Sequence, residues 1–304
     1  MRIRATVATV TGALAVSTLA VPAVHAAGDD GFDHREAFAE ISRAAHKDGG
    51  RAPAAPGKPY DMEVSFSNFK VAKAIKVGTA AHYSTTVTYK LTHASDIDIK
   101  AKDFVTAPVL YRGSLAAPSS VVLTGVKPAT CTVNSATTAT CTGRIDLYPR
   151  EDLRNSDAGT WKGTAYAIAY NGQEPDGENF DITKVGHADQ EGLGTTRVQR
   201  ASILTVNASP EPVKKGKTLT ITGRLTIANW ETGKYVGYVN QSVALQFRKK
   251  NVTTYTNVKG VKTNTKGDLK TTVKASVDGY HRFTFKGKVT VPAVNATGDF
   301  VDVR

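Results

Sequence analysis

The sequence predicts an all-β protein: two tandem antiparallel β-sandwich domains after a signal peptide and a short helical arm. Three observations carry this reading. From Tyr60 onward, apolar residues recur at every second position in run after run, the period of a strand with one buried face. Clusters of Gly, Pro, Asn and Asp cut these runs into short segments, as the turns of a sandwich require. The length of 304 residues suits two ordinary domains.

The elements follow in order. Met1-Arg2-Ile3-Arg4 is a basic start, Ala5 to Val21 is an uncharged run of apolar and small residues, and Val24-His25-Ala26 fits a cleavage site. Residues 1–26 therefore read as a secretory signal peptide, removed on export. Asp33-His34-Arg35-Glu36 forms a capping box, and Ala37, Phe38, Ile41, Ala44 and Ala45 follow at helical spacing. A helix over about 34–47 is expected. Its small apolar face predicts weak docking or mobility. Gly49 to Pro59, rich in Pro, Ala and Gly, reads as a linker, so 27–59 is an arm and linker.

The first sandwich is assigned to 60–198. Met62, Val64 and Phe66 alternate with polar residues, as do Tyr83, Val87, Tyr89 and Leu91. Ile97 and Ile99 alternate with Asp96 and Asp98, which places the two acids on a wet strand face. Cys141, Gly143, Ile145 and Leu147 share a face, and Trp161 to Tyr170 forms a late strand ending at Asn171-Gly172. Cys131 and Cys141 are the chain's two cysteines. On an exported chain they predict one disulfide across a Thr-rich hairpin. Closing so small a loop contributes about 2.5–3 kcal/mol in the chain-entropy account.

The second sandwich is assigned to 199–304. Leu219, Ile221, Leu225 and Ile227 form one strand, Val243, Leu245 and Phe247 another, Leu269, Thr271 and Val273 a third, and His281, Phe283 and Phe285 a fourth. About 105 residues in about seven strands is the size of an immunoglobulin-like domain. Asp157-Ala158-Gly159-Thr160-Trp161 and Asp278-Gly279-Tyr280 echo each other at the start of a late strand in each half.

The segments Val206 to Gly216, Gln241 to Arg248 and Val273 to Tyr280, with Leu153 to Trp161 upstream, resemble secreted actinobacterial proteins. Those proteins carry an uncharacterised β domain followed by a C-terminal immunoglobulin-like domain. The resemblance spans nearly the whole chain and implies an exported bacterial protein of unassigned activity. Some relatives bear the label calcium-binding. No catalytic residue is carried over.

Charge is the main functional signal. Of a net +12, residues 199–304 carry 18 Lys and Arg against 6 Asp and Glu, whereas 27–198 carry 19 against 21. A basic domain outside the cell attracts anionic partners: wall polymers, acidic polysaccharides or membrane surfaces. Arg248, Lys249 and Lys250, expected at a turn, are the candidate anionic-polymer-binding residues. The competing reading is that edge lysines prevent strand pairing and keep the domain soluble. Nucleic acid is disfavoured by the compartment and by the lack of aromatics interleaved with the lysines.

Enzyme motifs are lacking: there is no Gly-x-Ser-x-Gly, His-Glu-x-x-His or phosphate-binding glycine loop. A non-enzymatic protein without cofactors is expected. His34 and His46 lie about 18 Å apart along a helix, and His82 and His93 about 36 Å apart along a strand, so neither pair shares a metal. Asp96 and Asp98 have the spacing of paired catalytic carboxylates but lack a cleft with sugar-stacking aromatics. The alternative function is calcium binding by the acidic loop 171–181, which offers oxygen ligands but not the EF-hand spacing. Outside the signal, no run of about 18 apolar residues predicts a membrane span. The localisation expected is secreted and extracellular.

Overall fold

The computed structural model describes residues 34–46, 57–115, 121–175 and 177–304. Residues 1–26, expected as a signal peptide, and most of the expected linker lie outside the described residues. A helix, α1 (His34–Ala45), is followed by strands β1 (Tyr60–Asp61), β2 (Val64–Lys70), β3 (Ala74–Val77), β4 (Tyr83–His93), β5 (Phe104–Arg112), β6 (Val121–Thr124), β7 (Thr130–Ser135) and β8 (Thr138–Leu147), a one-turn helix α2 (Pro149–Asp152), and strands β9 (Gly159–Ala169) and β10 (Gly186–Arg200). Then come β11 (Ser202–Leu204), β12 (Asn207–Ser209), β13 (Thr218–Asn229), β14 (Lys234–Gly237), β15 (Ser242–Lys249), β16 (Thr256–Lys262), β17 (Asp268–Lys274), β18 (Gly279–Phe285), β19 (Val294–Asn295) and β20 (Asp299–Val301). The chain is all-β, as its patterning predicts.

It divides into two compact units. The first contains α1 and two sheets. One sheet runs β2-β4-β8-β7. Cys131 pairs directly opposite Cys141 in the β7–β8 register, and the two form the disulfide. The other sheet has the order β1-β10-β9-β5-β6. Val87, Tyr89, Leu91, Ala139, Cys141, Ile145 and Leu147 are buried on the first sheet. Gly143 lies where the two sheets approach: a Cβ there would sit 2.5 Å from the Pro108 ring, so glycine sets the spacing.

Seven consecutive residues of β5, Val105 to Tyr111, are buried. One face meets the opposing sheet, where the Tyr89 hydroxyl lies 2.9 Å from Thr106 Oγ1. The other is covered by α1: Phe38 and Ile41 join Val105, Ala107, Val109, Tyr111, Tyr166 and Ile168 in one cluster. The Phe38 and Tyr166 rings stack at 4.0 Å. This corrects the expectation of a weakly docked helix. Its apolar face is narrow, but two large side chains on it are fully enclosed.

Three further details differ from the sequence reading. The first unit is not purely antiparallel, because β1 runs parallel to β10. Residues 95–101 form turns rather than a strand, and Asp98 Oδ1 accepts the Lys100 amide at 2.9 Å. That carboxylate therefore shapes a turn, and the Asp-Ile alternation there does not reflect a pleat. The third is a strand that alternation did not mark, β5.

The second unit comprises Ala74–Ala81, Leu153–Thr160 and Arg197–Arg304. One sheet centres on β13, which pairs with β11, β12, β14 and β17. The other has the order β16-β15-β18-β19, with β20 also on β18. Leu219, Ile221, Leu225, Val243, Leu245, Leu269, Phe283 and Phe285 fill the core between them. Within this unit, β3 pairs in parallel with Arg197–Arg200 of β10. The Val77 carbonyl accepts both the buried Trp230 Nε1–H at 3.0 Å and the Ala201 amide at 2.8 Å. Asn155 bonds Asn229 Oδ1 at 3.0 Å and Glu231 Oε2 at 2.9 Å. The two echoing corners differ: Asp278 Oδ1 accepts the amide of Val303 from the end of the chain, whereas Asp157 Oδ2 accepts that of Arg154 within its own turn.

Candidate functional site

Arg248 and Lys249 end β15, and Lys250 begins the turn after it. Even-numbered residues of β15 face outward because Val243 and Leu245 face the core. Arg248 is thereby laid over the outer face of the sheet. Its guanidinium sits 3.8 Å from the Tyr280 ring centroid and 5.3 Å from that of Tyr255. Its Nη1 donates to the carbonyl of Val252 at 2.9 Å. Lys250 Nζ lies 3.9 Å from Asp278 and 5.4 Å from the Phe300 ring centroid. Lys249 is exposed. The three predicted residues are thus close in the chain but unequal: Arg248 is held rigidly, Lys250 is partly neutralised, and Lys249 extends to solvent.

Arg282 belongs with them and escapes a reading that counts lysines. It faces outward from β18, 3.8 Å from the Tyr255 ring centroid, and its Nε donates to Gln246 Oε1 at 2.9 Å. Gln246 in turn donates to Asn257 at 2.9 Å. Gly298 makes room for this stack, since a side chain there would collide with the Tyr255 hydroxyl. Cations over aromatic faces gain about 0.5–2 kcal/mol while keeping their charge. Two of the remaining lysines are tied back onto the fold: Lys259 to the Thr272 carbonyl and Lys274 to Thr218.

The calcium-candidate loop presents a different picture. Asp181 Oδ1 caps its own short turn by accepting from the Thr183 amide and hydroxyl. Those bonds hold its carboxyl below the usual range. Gln173 accepts the Asp181 amide, and Asn171 donates to Tyr60 and to the Lys184 carbonyl. Asp176 lies outside the described residues. Among the described residues, no group of three or more His, Cys, Asp or Glu side chains is placed to hold a metal ion.

The structure also assembles a cluster that the sequence does not reveal. His46 Nε2 lies 2.8 Å from Asp189 Oδ2, Ser42 Oγ donates to the same oxygen at 3.5 Å, and His187 Nε2 is 3.6 Å from it. The hydrogen bond to Asp189 raises the His46 pKa, whereas burial lowers that of His187. Burial pushes Asp189 up, but the His46 hydrogen bond and the two imidazoles outweigh it, so the carboxyl stays low. Ser42 bonds the carboxylate and not an imidazole. The arrangement lacks the base-activated hydroxyl that nucleophilic catalysis needs, and it serves as a polar latch at the end of α1. His187 and Asp189 share a face of β10 at i and i+2, the one local signal that could have hinted at it.

His281 is buried on β18, its ring 4.8 Å from Phe247. Burial lowers its pKa to about 4. The unfolded imidazole titrates at about 6.5, so protonation favours unfolding. Stability is full above pH 6.5 and falls as the pH drops toward 4. The slope is about 1.4 kcal/mol per pH unit, and screening at this sheet limits the total to about 2 kcal/mol. Denaturant titrations at pH 7 and pH 4.5 are expected to show that loss in the native chain. His281→Leu is expected to lose about 2 kcal/mol less over the same interval; an unchanged pH dependence would assign the acid sensitivity elsewhere.

No protein family matches the chain, and no curated protein does. Among solved structures it is similar to one described as a membrane-anchored protein of Corynebacterium diphtheriae, at 14% identity and TM-score 0.26, covering 79% of this chain and 53% of that one. It is also similar to the Escherichia coli adhesin FdeC, at 12% identity and TM-score 0.29, covering 80% and 64%. The ectodomain of mouse nectin-like molecule 4 matches at 14% identity and TM-score 0.23, covering 80% and 65%. The chain thus spans between about half and two-thirds of these structures. At such scores the likeness carries nothing about function; the architecture rests on the sheets and cores themselves. No helix among the described residues is long and apolar enough to cross a membrane.

Proposed function

We propose that the chain is a secreted, non-enzymatic binding or structural protein whose basic C-terminal domain, residues 199–304, associates with the cell envelope or another anionic extracellular polymer. The observation that supports this most is the segregation of charge, with 18 basic against 6 acidic residues over 199–304 and a near balance upstream. Lys214, Lys215, Lys217, Lys249, Lys262 and Lys270 are all exposed, so that charge reaches solvent. The Cys131–Cys141 disulfide fits an oxidising compartment. Residues 1–26 are proposed as the export signal, and the resemblance to secreted actinobacterial proteins points the same way.

Co-sedimentation of the mature chain with purified cell-wall sacculi tests this reading. Binding is expected to intact sacculi and to be lost when their anionic polymers are stripped. Equal binding to stripped sacculi, or none to either, would contradict it.

A further inference from the structure

We infer that the outward face of the β16–β15–β18 sheet is a binding lane for an acidic polysaccharide. This inference rests on the proposed function and names the face and the ligand class. Residues directly opposite in register share a face. The pairs Ser242–Lys262, Ala244–Gly260 and Gln246–Asn257 therefore lie on one surface with Thr284, Arg282 and Tyr280, which pair with Ala244, Gln246 and Arg248.

The surface has three parts. Gly260, Ala244 and Thr284 make a low central row, and nothing lies within 4 Å of where a Gly260 side chain would stand. Lys262 flanks that row on one side. Arg282 and Arg248 flank it on the other, each guanidinium 3.8 Å from a tyrosine ring centroid. No acidic residue occurs among these positions, so the lane is complementary to a chain of negative charges.

The chemistry favours a glycan. Tyr255 and Tyr280 already carry guanidinium groups on their faces, which removes the stacking platforms that single-stranded nucleic acid uses. Gln246 is bonded to Arg282 and Asn257 and Thr284 to Asn295, and the exposed amide of Asn257 stands beside the cations, suited to a sugar hydroxyl. Arg248 Nη1 is taken by the carbonyls of Lys250 and Val252 and Arg282 Nε by Gln246; the other guanidinium N–H groups are the ones that match carboxylates. A uronate-bearing polysaccharide supplies both groups.

The test places opposite charges at one open position. Gly260→Glu and Gly260→Lys are compared with the native chain for binding to polygalacturonate, after thermal melts establish that both fold. The triple change Lys214→Gln, Lys215→Gln, Lys217→Gln, outside the lane, gauges the contribution of the domain's overall charge. Gly260→Glu is expected to weaken binding roughly tenfold, more than the triple change does although it alters the net charge less, and Gly260→Lys to strengthen it severalfold. If the native chain binds, both Gly260 variants match it and the triple change weakens binding, the lane is wrong and the charge-driven reading stands. If the native chain binds no polyanion, the underlying reading fails. Tighter binding to single-stranded DNA or to anionic lipid vesicles than to polygalacturonate overturns the glycan assignment.

Discussion

Replacing Trp230 by Ala is expected to cost about 3–5 kcal/mol, the range for removing a fully enclosed indole. Trp230 is 0% exposed. Its Nε1–H donates to the Val77 carbonyl at 3.0 Å, which fixes the Ala74–Ala81 segment within the second unit. Loss of the ring leaves a cavity that neighbouring strands fill only in part. It also removes one of two donors to that carbonyl, the other being the Ala201 amide. Trp230→Phe separates these effects. It keeps most of the packing and forfeits a hydrogen bond whose acceptor stays satisfied, so about 1 kcal/mol is expected. Calorimetry reads the cost, and hydrogen exchange at the Ala201 amide reads the release of the segment. A native melting profile and full Ala201 protection in Trp230→Ala would contradict this account of the second unit.

The second large effect concerns α1. A helix of 12 residues is marginal in isolation, so packing must hold it. Phe38, 2% exposed, and Ile41, 3% exposed, supply that packing. Phe38→Ala is expected to remove about 3 kcal/mol and to free the helix locally while the sheets persist. Amide exchange across His34–Ala45 is expected to rise toward that of an unfolded peptide, with exchange in β4 and β8 unchanged. Arg43→Ala, at an exposed position, serves as the control and is expected to change little. Persistent protection of α1 in Phe38→Ala would show that the His46–Asp189 contact alone anchors it.

These two cases also show where the sequence is informative. Strands with one buried face declare themselves: Ala139, Cys141 and Ile145 on β8, and Leu245 on β15 beside Phe283 on β18, alternate with less buried residues. β5 does not, because α1 covers its second face and erases the alternation. The docking of α1 is equally hidden, since two large residues do what a count of apolar positions undervalues. Parallel pairing of β10 with β1 and β3 is a choice of partner, which period-two patterning does not encode. The latch joins His46 to Asp189, 143 positions apart, with no local motif linking them.

The candidate binding face was legible in its charge but not in its form. Arg248, Lys249 and Lys250 stand together in the chain, yet Arg248 is committed to two tyrosine rings and a carbonyl. Arg282, its neighbour in space, is 34 positions away in the chain and becomes visible only through the β15–β18 register.

The most direct measurement is the affinity of the chain without residues 1–26 for an immobilised anionic wall polymer across a salt series. Charge-driven binding falls steeply as the screening length contracts from about 10 Å at 0.1 M salt to about 3 Å at 1 M. The account predicts clear binding at low salt and its loss well before 1 M. Affinity that does not change with salt, or no binding at the lowest ionic strength, would contradict it and leave the lysines as devices of solubility.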